Sequence, residues 1–430
     1  MRKMKDSGVE WIGEIPEGWT IERLQWHVSE IKESNKPEKT RQVLSLTNKR
    51  GVIPYEEKGA QGNVAKEDYS QYKLAYPGTI VANSMNILIG SVGRCDYFGC
   101  VSPVYYVYKP NEGENLAFID YIFQMEQFQK ELRRYANGIL EIRLRVPSDG
   151  ILKREIAFPT KEAQEKIVHC LNQKCTQIDT LIQNVQTQIE KLKAYKQSLI
   201  TEVVTKGLDP TVPMKDSGVD WIGEIPEHWS KLPVKYIGTT QNGISKGGEY
   251  FGSGHPFVSY GDVYKNMELP RSVAGLVEST EAERENYSVK TGDIFFTRTS
   301  ETIDEVGFSS VCTETIQNAT FAGFLIRLRP FNDVLTSLYA KYYFRGNHIR
   351  RYLVKEMNLV TRASLGQGLL KAMPVLLPPP DEQIVIAEYL RLKCSQIDRL
   401  ISIKQEKIEK LEQYKRSLIY EYVTGKKEVV

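Results

Sequence analysis

Apolar side chains recur every seven residues at Ile178, Val185, Leu192 and Leu199, with Leu181, Ile182, Ile189 and Tyr195 filling the same face and Lys and Glu opposite. The pattern returns at Ile397, Leu411 and Leu418, joined by Leu400, Ile401, Ile408 and Tyr414. This spacing predicts two amphipathic helices, over Lys174–Thr205 and Lys393–Thr424. Each is a rod roughly 48 Å long at about 1.5 Å per residue. A stripe of that length is buried only against another long helix, so each rod predicts the other as its partner in a coiled-coil pair. Upstream of each rod, "AFPTKEAQEKI" (157–167) and "LLPPPDEQIVI" (376–386) place Pro before acidic residues, the start of a short helix.

The two rods are copies of one another. "KCTQIDTLIQNVQTQIEKLKAYKQSLITEVVT" and "KCSQIDRLISIKQEKIEKLEQYKRSLIYEYVT" agree at 20 of 32 positions. "MKDSGVEWIGEIPEGW" (4–19) likewise returns as "MKDSGVDWIGEIPEHW" (214–229), agreeing at 14 of 16. Such an internal repeat governs the fold. The chain therefore alternates a near-identical frame with two inserts that share little sequence. In the sixteen-residue phrase, Trp11, Ile12, Ile15 and Trp19, like Trp221, Ile222, Ile225 and Trp229, are apolar side chains between Gly and Pro, a packing strap and not a catalytic loop. "KGLDPTVP" (206–213) is the connector between copies.

Within the inserts, 78–84, 103–108, 292–299 and 321–330 read as strands, and 117–137 and 335–357 as helices. The fold class is mixed α/β (α+β).

The length of 430 residues admits two or more compact domains. No apolar run reaches the roughly 18 residues that span a bilayer, and the N-terminal residues lack a signal's apolar region, so the protein is expected in the cytoplasm. Six Cys fall into no zinc spacing, and no metal site is expected. A net charge of +3 says little about nucleic acid. The sequence has no Walker A run, no H-E-x-x-H helix, no G-x-S-x-G elbow and only five His. "FGSG" (251–254) comes without an N-P-P-F type tetrapeptide. No catalysis by the chain alone and no cofactor are expected.

The doubled "DSGVxWIGEIPExW", the Pro-acidic-Gln run before each rod and the "QID-LI" to "EKL--YK-SLI" helix together resemble the specificity subunit of type I restriction-modification systems, over the whole chain. One departure is "PTKEAQ" in the first copy, where the second has Glu382 and Gln383. The resemblance implies two globular target recognition domains, each reading half of a bipartite, asymmetric DNA sequence, separated by two long antiparallel helices with a pseudo-two-fold repeat. It assigns residues 1–158 and 214–377 to the recognition domains, and 159–213 and 378–430 to the helical regions. It further implies double-stranded DNA, two methyltransferase subunits acting on flipped adenine, and restriction subunits as partners. An orphan two-domain DNA-binding regulator without enzyme partners is the alternative.

Base readout needs Arg, Lys, Asn, Gln, Ser or Thr on loops that reach a groove. In the first insert Asn48, Lys49, Arg50, Asn83, Ser84 and Asn86 qualify; in the second, Ser259, Tyr260, Arg298, Thr299 and Ser300. The segments at Asn83 and Arg298 correspond by their position after Gly78 and Gly292. Arg143 and Arg362, matched across the repeat, are expected at phosphates or in the scaffold.

Overall fold

The computed structural model describes residues 2–47, 50–59, 68–138, 144–300, 305–356 and 363–429. The two rods are helices α1 (Lys161–Lys206) and α2 (Pro380–Val423). Each begins at the turn signal itself. The short helix expected upstream is the first part of the same continuous helix, because nothing from Lys161 to Lys174 or from Pro380 to Lys393 breaks the backbone ladder. Buried Gln164 and Gln383 tie the starts to the preceding chain, donating from Nε2 to the carbonyls of Pro159 (3.2 Å) and Pro378 (3.0 Å). At the other end, Gly207 and Gly425 sit just past the helices at φ of +76° and +71°, a left-handed conformation that only glycine adopts without strain.

Two compact units divide the chain. The first comprises 1–186 with 406–430, the second 187–405. Each therefore draws on both long helices. In the first unit Asp179 of α1 meets Lys415 of α2 at 2.7 Å; in the second, Asp398 of α2 meets Lys196 of α1 at 2.6 Å. The start of one helix thus lies against the end of the other in both units, so the helices pack antiparallel. Ile178 and Val185 are buried, but Leu181 and Tyr195, expected on the same face, are about half exposed, as are their counterparts Leu400 and Tyr414. A helix pair covers only a narrow seam, and these residues lie at its margin.

The repeated phrase is a strap. In the first unit it forms a hairpin, Met4–Asp6 against Glu14–Pro16. Ile12, Ile15 and Trp19 enter a core with Leu418, Ile419, Tyr422 and Val423 from the end of α2. The Tyr420 hydroxyl donates to the carbonyls of Trp11 (3.1 Å) and Ile12 (3.2 Å), and the Lys426 ammonium donates to those of Ile12 (2.6 Å) and Glu14 (3.1 Å). In the second unit the second strap buries Ile225 and Trp229 with Leu199, Ile200, Val203 and Val204 from the end of α1.

The dissimilar inserts share one sheet. In the first unit β1 (Val28–Ile31), β2 (Thr79–Asn83), β3 (Val92–Cys95) and β4 (Tyr105–Pro110) lie in the order β1-β4-β2-β3. In the second, β5 (Gly238–Asn242), β6 (Ile294–Thr297), β7 (Ser309–Val311) and β8 (Leu325–Pro330) lie in the order β5-β8-β6-β7. All neighbours are antiparallel. The central strands carry apolar side chains such as Ile80, Val81, Ile294 and Phe296, all fully buried. Helices pack beside them, but each expected helix is broken in two. The first is Leu116–Gln124 and Glu126–Arg133, parting at Met125 in an extended conformation. The second is Ser337–Tyr343 and Asn347–Glu356. Strand 292–299 likewise ends at Thr297 and resumes as Thr299–Ser300, and strand 321–330 parts into Thr320–Phe321 and β8.

Candidate nucleic-acid interface

Strand register aligns the two inserts residue by residue. Asn83 pairs with Tyr105 at the end of β2, and Thr297 pairs with Leu325 at the end of β6. Three further pairs follow in step on each side: Ala82, Val81 and Ile80 with Tyr106, Val107 and Tyr108, and Phe296, Phe295 and Ile294 with Ile326, Arg327 and Leu328. The correspondence read from Gly78 and Gly292 is therefore geometric, and it puts Ser84 level with Arg298.

At this end of the first sheet the chain turns through Asn83–Ser91. Asn83 is mostly buried, and its Oδ1 accepts the Met85 N–H at 3.0 Å. Ser84 is fully buried; its hydroxyl has no partner among the described residues, and its carbonyl accepts the Val146 N–H at 3.0 Å. Asn86 is exposed and opens a 3-10 turn, Ile87–Ile89. Of these three, Asn86 is the side chain the fold leaves free to meet a ligand. Arg50 is exposed and ion-paired with Glu57. Asn48, Lys49, Arg143 and Arg362 lie outside the described residues.

In the second domain the expected residues converge. Ser259 caps the helix Tyr260–Lys265, exchanging hydrogen bonds with Asp262 in a capping box. The Tyr260 hydroxyl donates to the Thr299 carbonyl at 2.9 Å, and its acidity is weakened, above all by burial. Ser300 Oγ donates to Glu305 at 3.3 Å, and the Tyr264 hydroxyl donates to the same carboxylate group at 3.0 Å. Tyr260, Tyr264 and Phe308 stack in series, with centroids 5.9 and 5.3 Å apart. Arg298 is held by its backbone, its N–H donating to Phe324 (2.9 Å) and its carbonyl accepting from Leu365 (2.7 Å). Its guanidinium makes no hydrogen bond or ion pair among the described residues, so it remains available to an anion or a base edge.

The sequence did not single out a groove of about 1100 Å³ in the first unit, lined by Arg50, Arg94, Asp120, Lys415 and Arg416. Asp120 is buried there, 3.5 Å from Arg94, and burial pushes its carboxyl up to about 6 despite that cation. Its signal was absent because a lone Asp in an apolar helical run has no motif. Among the described residues no group of three or more His, Cys, Asp or Glu is placed to hold a metal, and no helix is long and apolar enough to cross a membrane.

Residues 235–413 match the family model described as the type I restriction modification DNA specificity domain. A Methanocaldococcus jannaschii protein named "Putative type I restriction enzyme MjaX specificity subunit" is 23% identical over 446 residues, covering 96% of this chain and 95% of the relative. The EcoKI specificity subunit of Escherichia coli K12 is 26% identical over 239 residues, covering 54% of this chain and 48% of the relative. In fold, the chain is similar to one from a structural study of complex assembly and conformational transition of the type I R-M system (TM-score 0.71, 14% identity, covering 95% and 98% of the two chains). It is also similar to the HsdS subunit of Thermoanaerobacter tengcongensis (TM-score 0.51, 15% identity, covering 96% and 98%).

Proposed function

Given that the chain belongs to the type I restriction-modification specificity subunits, which recognise the DNA target and leave catalysis to other subunits, we propose that it reads a bipartite, asymmetric sequence in double-stranded DNA. Residues 1–158 and 214–377 are the recognition domains; 159–213 and 378–430 supply the helical regions. The carrying observation is one sheet built twice in identical strand order, with different side chains at the same end: Asn83, Ser84 and Asn86 in one domain, Arg298, Thr299 and Ser300 in the other. One scaffold bearing two chemistries suits two unlike half-sites. Direct readout falls to Asn86, Arg298, Asn48, Lys49 and Arg50, with Ser259, Tyr260, Thr299 and Ser300 shaping the second edge and Arg143 and Arg362 at phosphates. Asn83 and Ser84 hold the first turn in place.

Two methyltransferase subunits bind this scaffold in the cytoplasm and restriction subunits join them; the duplicated frame offers the same surface twice, which supports two copies of one partner. The chain itself binds no cofactor. Replacing the segment between Trp19 and Pro159 with that of another family member tests the reading by sequencing the methylated motif of the host. One half of the motif should change. A change in both halves, or in neither, overturns the modular assignment.

A further inference from the structure

The sheet end that carries the candidate polar residues also carries, in each domain, an apolar side chain held out into solvent. In the second domain it is Phe324, 64% exposed. Its turn is fixed on several sides: Leu325 N–H donates to the Ala322 carbonyl (2.9 Å), Ala322 N–H donates to Val258 (3.0 Å), and the Phe324 carbonyl receives the Arg298 N–H. A Cβ at Gly243 would strike the carbonyl oxygens of Phe321 and Ala322, so the neighbouring strand packs directly on this backbone. In the first domain it is Ile89, 70% exposed, on the 3-10 turn opened by Asn86. Gly90 N–H donates to Ile87 (3.1 Å), Ser91 N–H to Asn86 (3.0 Å) and Asn83 N–H to Ser91 (3.0 Å), tying that turn to the end of β2.

A single exposed apolar side chain needs no explanation. Two at the same end of equivalent sheets, one between β2 and β3 and the other just before β8, each braced by backbone hydrogen bonds and each beside a polar candidate reader, make that end apolar as well as polar in both domains. Bracing fixes the backbone that presents each side chain, so binding need not also order the turn. Arg298, whose backbone N–H bonds the Phe324 carbonyl, carries a cation on this edge, which favours a polyanion over an apolar protein surface. Base edges offer what such side chains fit: thymine methyl groups, or the flat face of a base step that a wedge can part.

We infer that Phe324 and Ile89 are apolar base-contacting residues, one for each half of the DNA target. This rests on the DNA-reading function proposed above. Because a phenyl ring and a branched aliphatic chain fit different base steps, the two contacts add to the asymmetry of the target.

The test uses the full chain with its methyltransferase partners. The probe is a duplex carrying the motif methylated in a host that expresses them, with a shuffled duplex as control. Phe324→Ala and Ile89→Ala should each weaken binding of the motif about tenfold, the scale of one good base contact. Binding of the shuffled duplex and the melting temperature should not move. Substituted bases should become tolerated in one half-site only, a different half for each variant, while Phe324→Trp and Ile89→Leu should retain most of the affinity. Unchanged affinity and selectivity in the alanine variants would overturn the inference, as would an equal loss on both duplexes, or loss of methyltransferase assembly with DNA preference intact. Failure of the unaltered complex to prefer the motif would instead sink the DNA-reading function itself.

Discussion

His348 is the residue at which acid should reach the second unit first. It is 2% exposed, neither ring nitrogen has a hydrogen-bond partner among the described residues, and its ring stands edge-on to Tyr343 with centroids 4.6 Å apart. Burial, reinforced by Arg351, depresses its pKa to about 3. In the unfolded chain the imidazole titrates near its ordinary value of about 6.5. As pH falls below that value the unfolded state takes up a proton that the folded state refuses, so stability declines from about pH 6.5 down towards 3. One such proton corresponds to about 1.4 kcal/mol per pH unit. His348→Phe keeps an aromatic ring against Tyr343 and should flatten the slope of stability between pH 6 and pH 4 by about that amount, read from denaturant midpoints at several pH values. An unaltered slope would rule His348 out as the acid-sensitive group. Nothing in the sequence marked this histidine, since "GNHIRRY" reads as a polar helical stretch. Asn83 and Ser84 raise the converse difficulty: polar residues at a strand end look available for recognition, yet Asn83 bonds back into its own turn and Ser84 is buried beneath it.

The best-read elements are the long helices, because a seven-residue period survives whatever packs around it. Their starts were harder to place. A Pro followed by acidic residues marks the first turn of a helix but does not say where that helix stops, so the run from Lys161 to Lys174 was expected to be separate when the ladder in fact continues. The departure of "PTKEAQ" from the Glu-Gln pair also becomes physical at this scale. Glu382 lies in the first turn of α2, where its carboxylate accepts the indole N–H of buried Trp229 at 3.1 Å and contacts His228 at 2.8 Å. In the first unit Ala163 stands at the matching position and Gly18 replaces the histidine, while Arg2 lies over the Trp19 ring at 5.8 Å. The two differences therefore form one contact, present in the second unit and lost as a pair from the first. Glu382→Ala should cost the second unit about 1–2 kcal/mol, because the Trp229 N–H stays buried without its acceptor. Adding His228→Gly should cost little more, since its partner is already gone. Calorimetry of the single and double variants would report it, and an Ala variant as stable as the parent would mean that the strap is held by apolar packing alone.

At the scale of the whole molecule, sequence repeats and compact units do not coincide. The repeat reads as strap, insert, helix, twice over, but the first unit takes the end of α2 and the second takes the end of α1. Periodicity paired the rods without saying that each would complete the other's unit. The sheets stayed hidden for a different reason: strand order depends on backbone pairing, which unlike side chains can satisfy equally well, so inserts with little shared sequence arrive at the same four strands. This exchange of helix ends predicts how part of the chain behaves. A fragment ending at Lys206 keeps the first strap, the first insert and all of α1, but loses Leu418, Ile419, Tyr422 and Val423, which the strap covers in the intact first unit. By the repeat, the matching residues are Leu199, Ile200, Val203 and Val204 at the end of the fragment's own α1. Within one molecule these sit at the far end of a continuous 46-residue helix from Ile167 and Leu171, which belong to that same core. A second copy can supply them, since antiparallel pairing of α1 with another α1 brings Asp179 of each copy to Lys196 of the other, reproducing the ion pairs that Lys415 and Asp398 make in the full chain. Residues 1–206 should therefore form a symmetric dimer, measurable by sedimentation, and with the methyltransferase subunits proposed above it should modify a palindromic target whose halves both match the proposed first half-site. Leu199→Asp and Val203→Asp together should leave it monomeric and poorly folded. A fragment that stays monomeric and well folded would show that the first unit does not need a helix end from outside its own repeat.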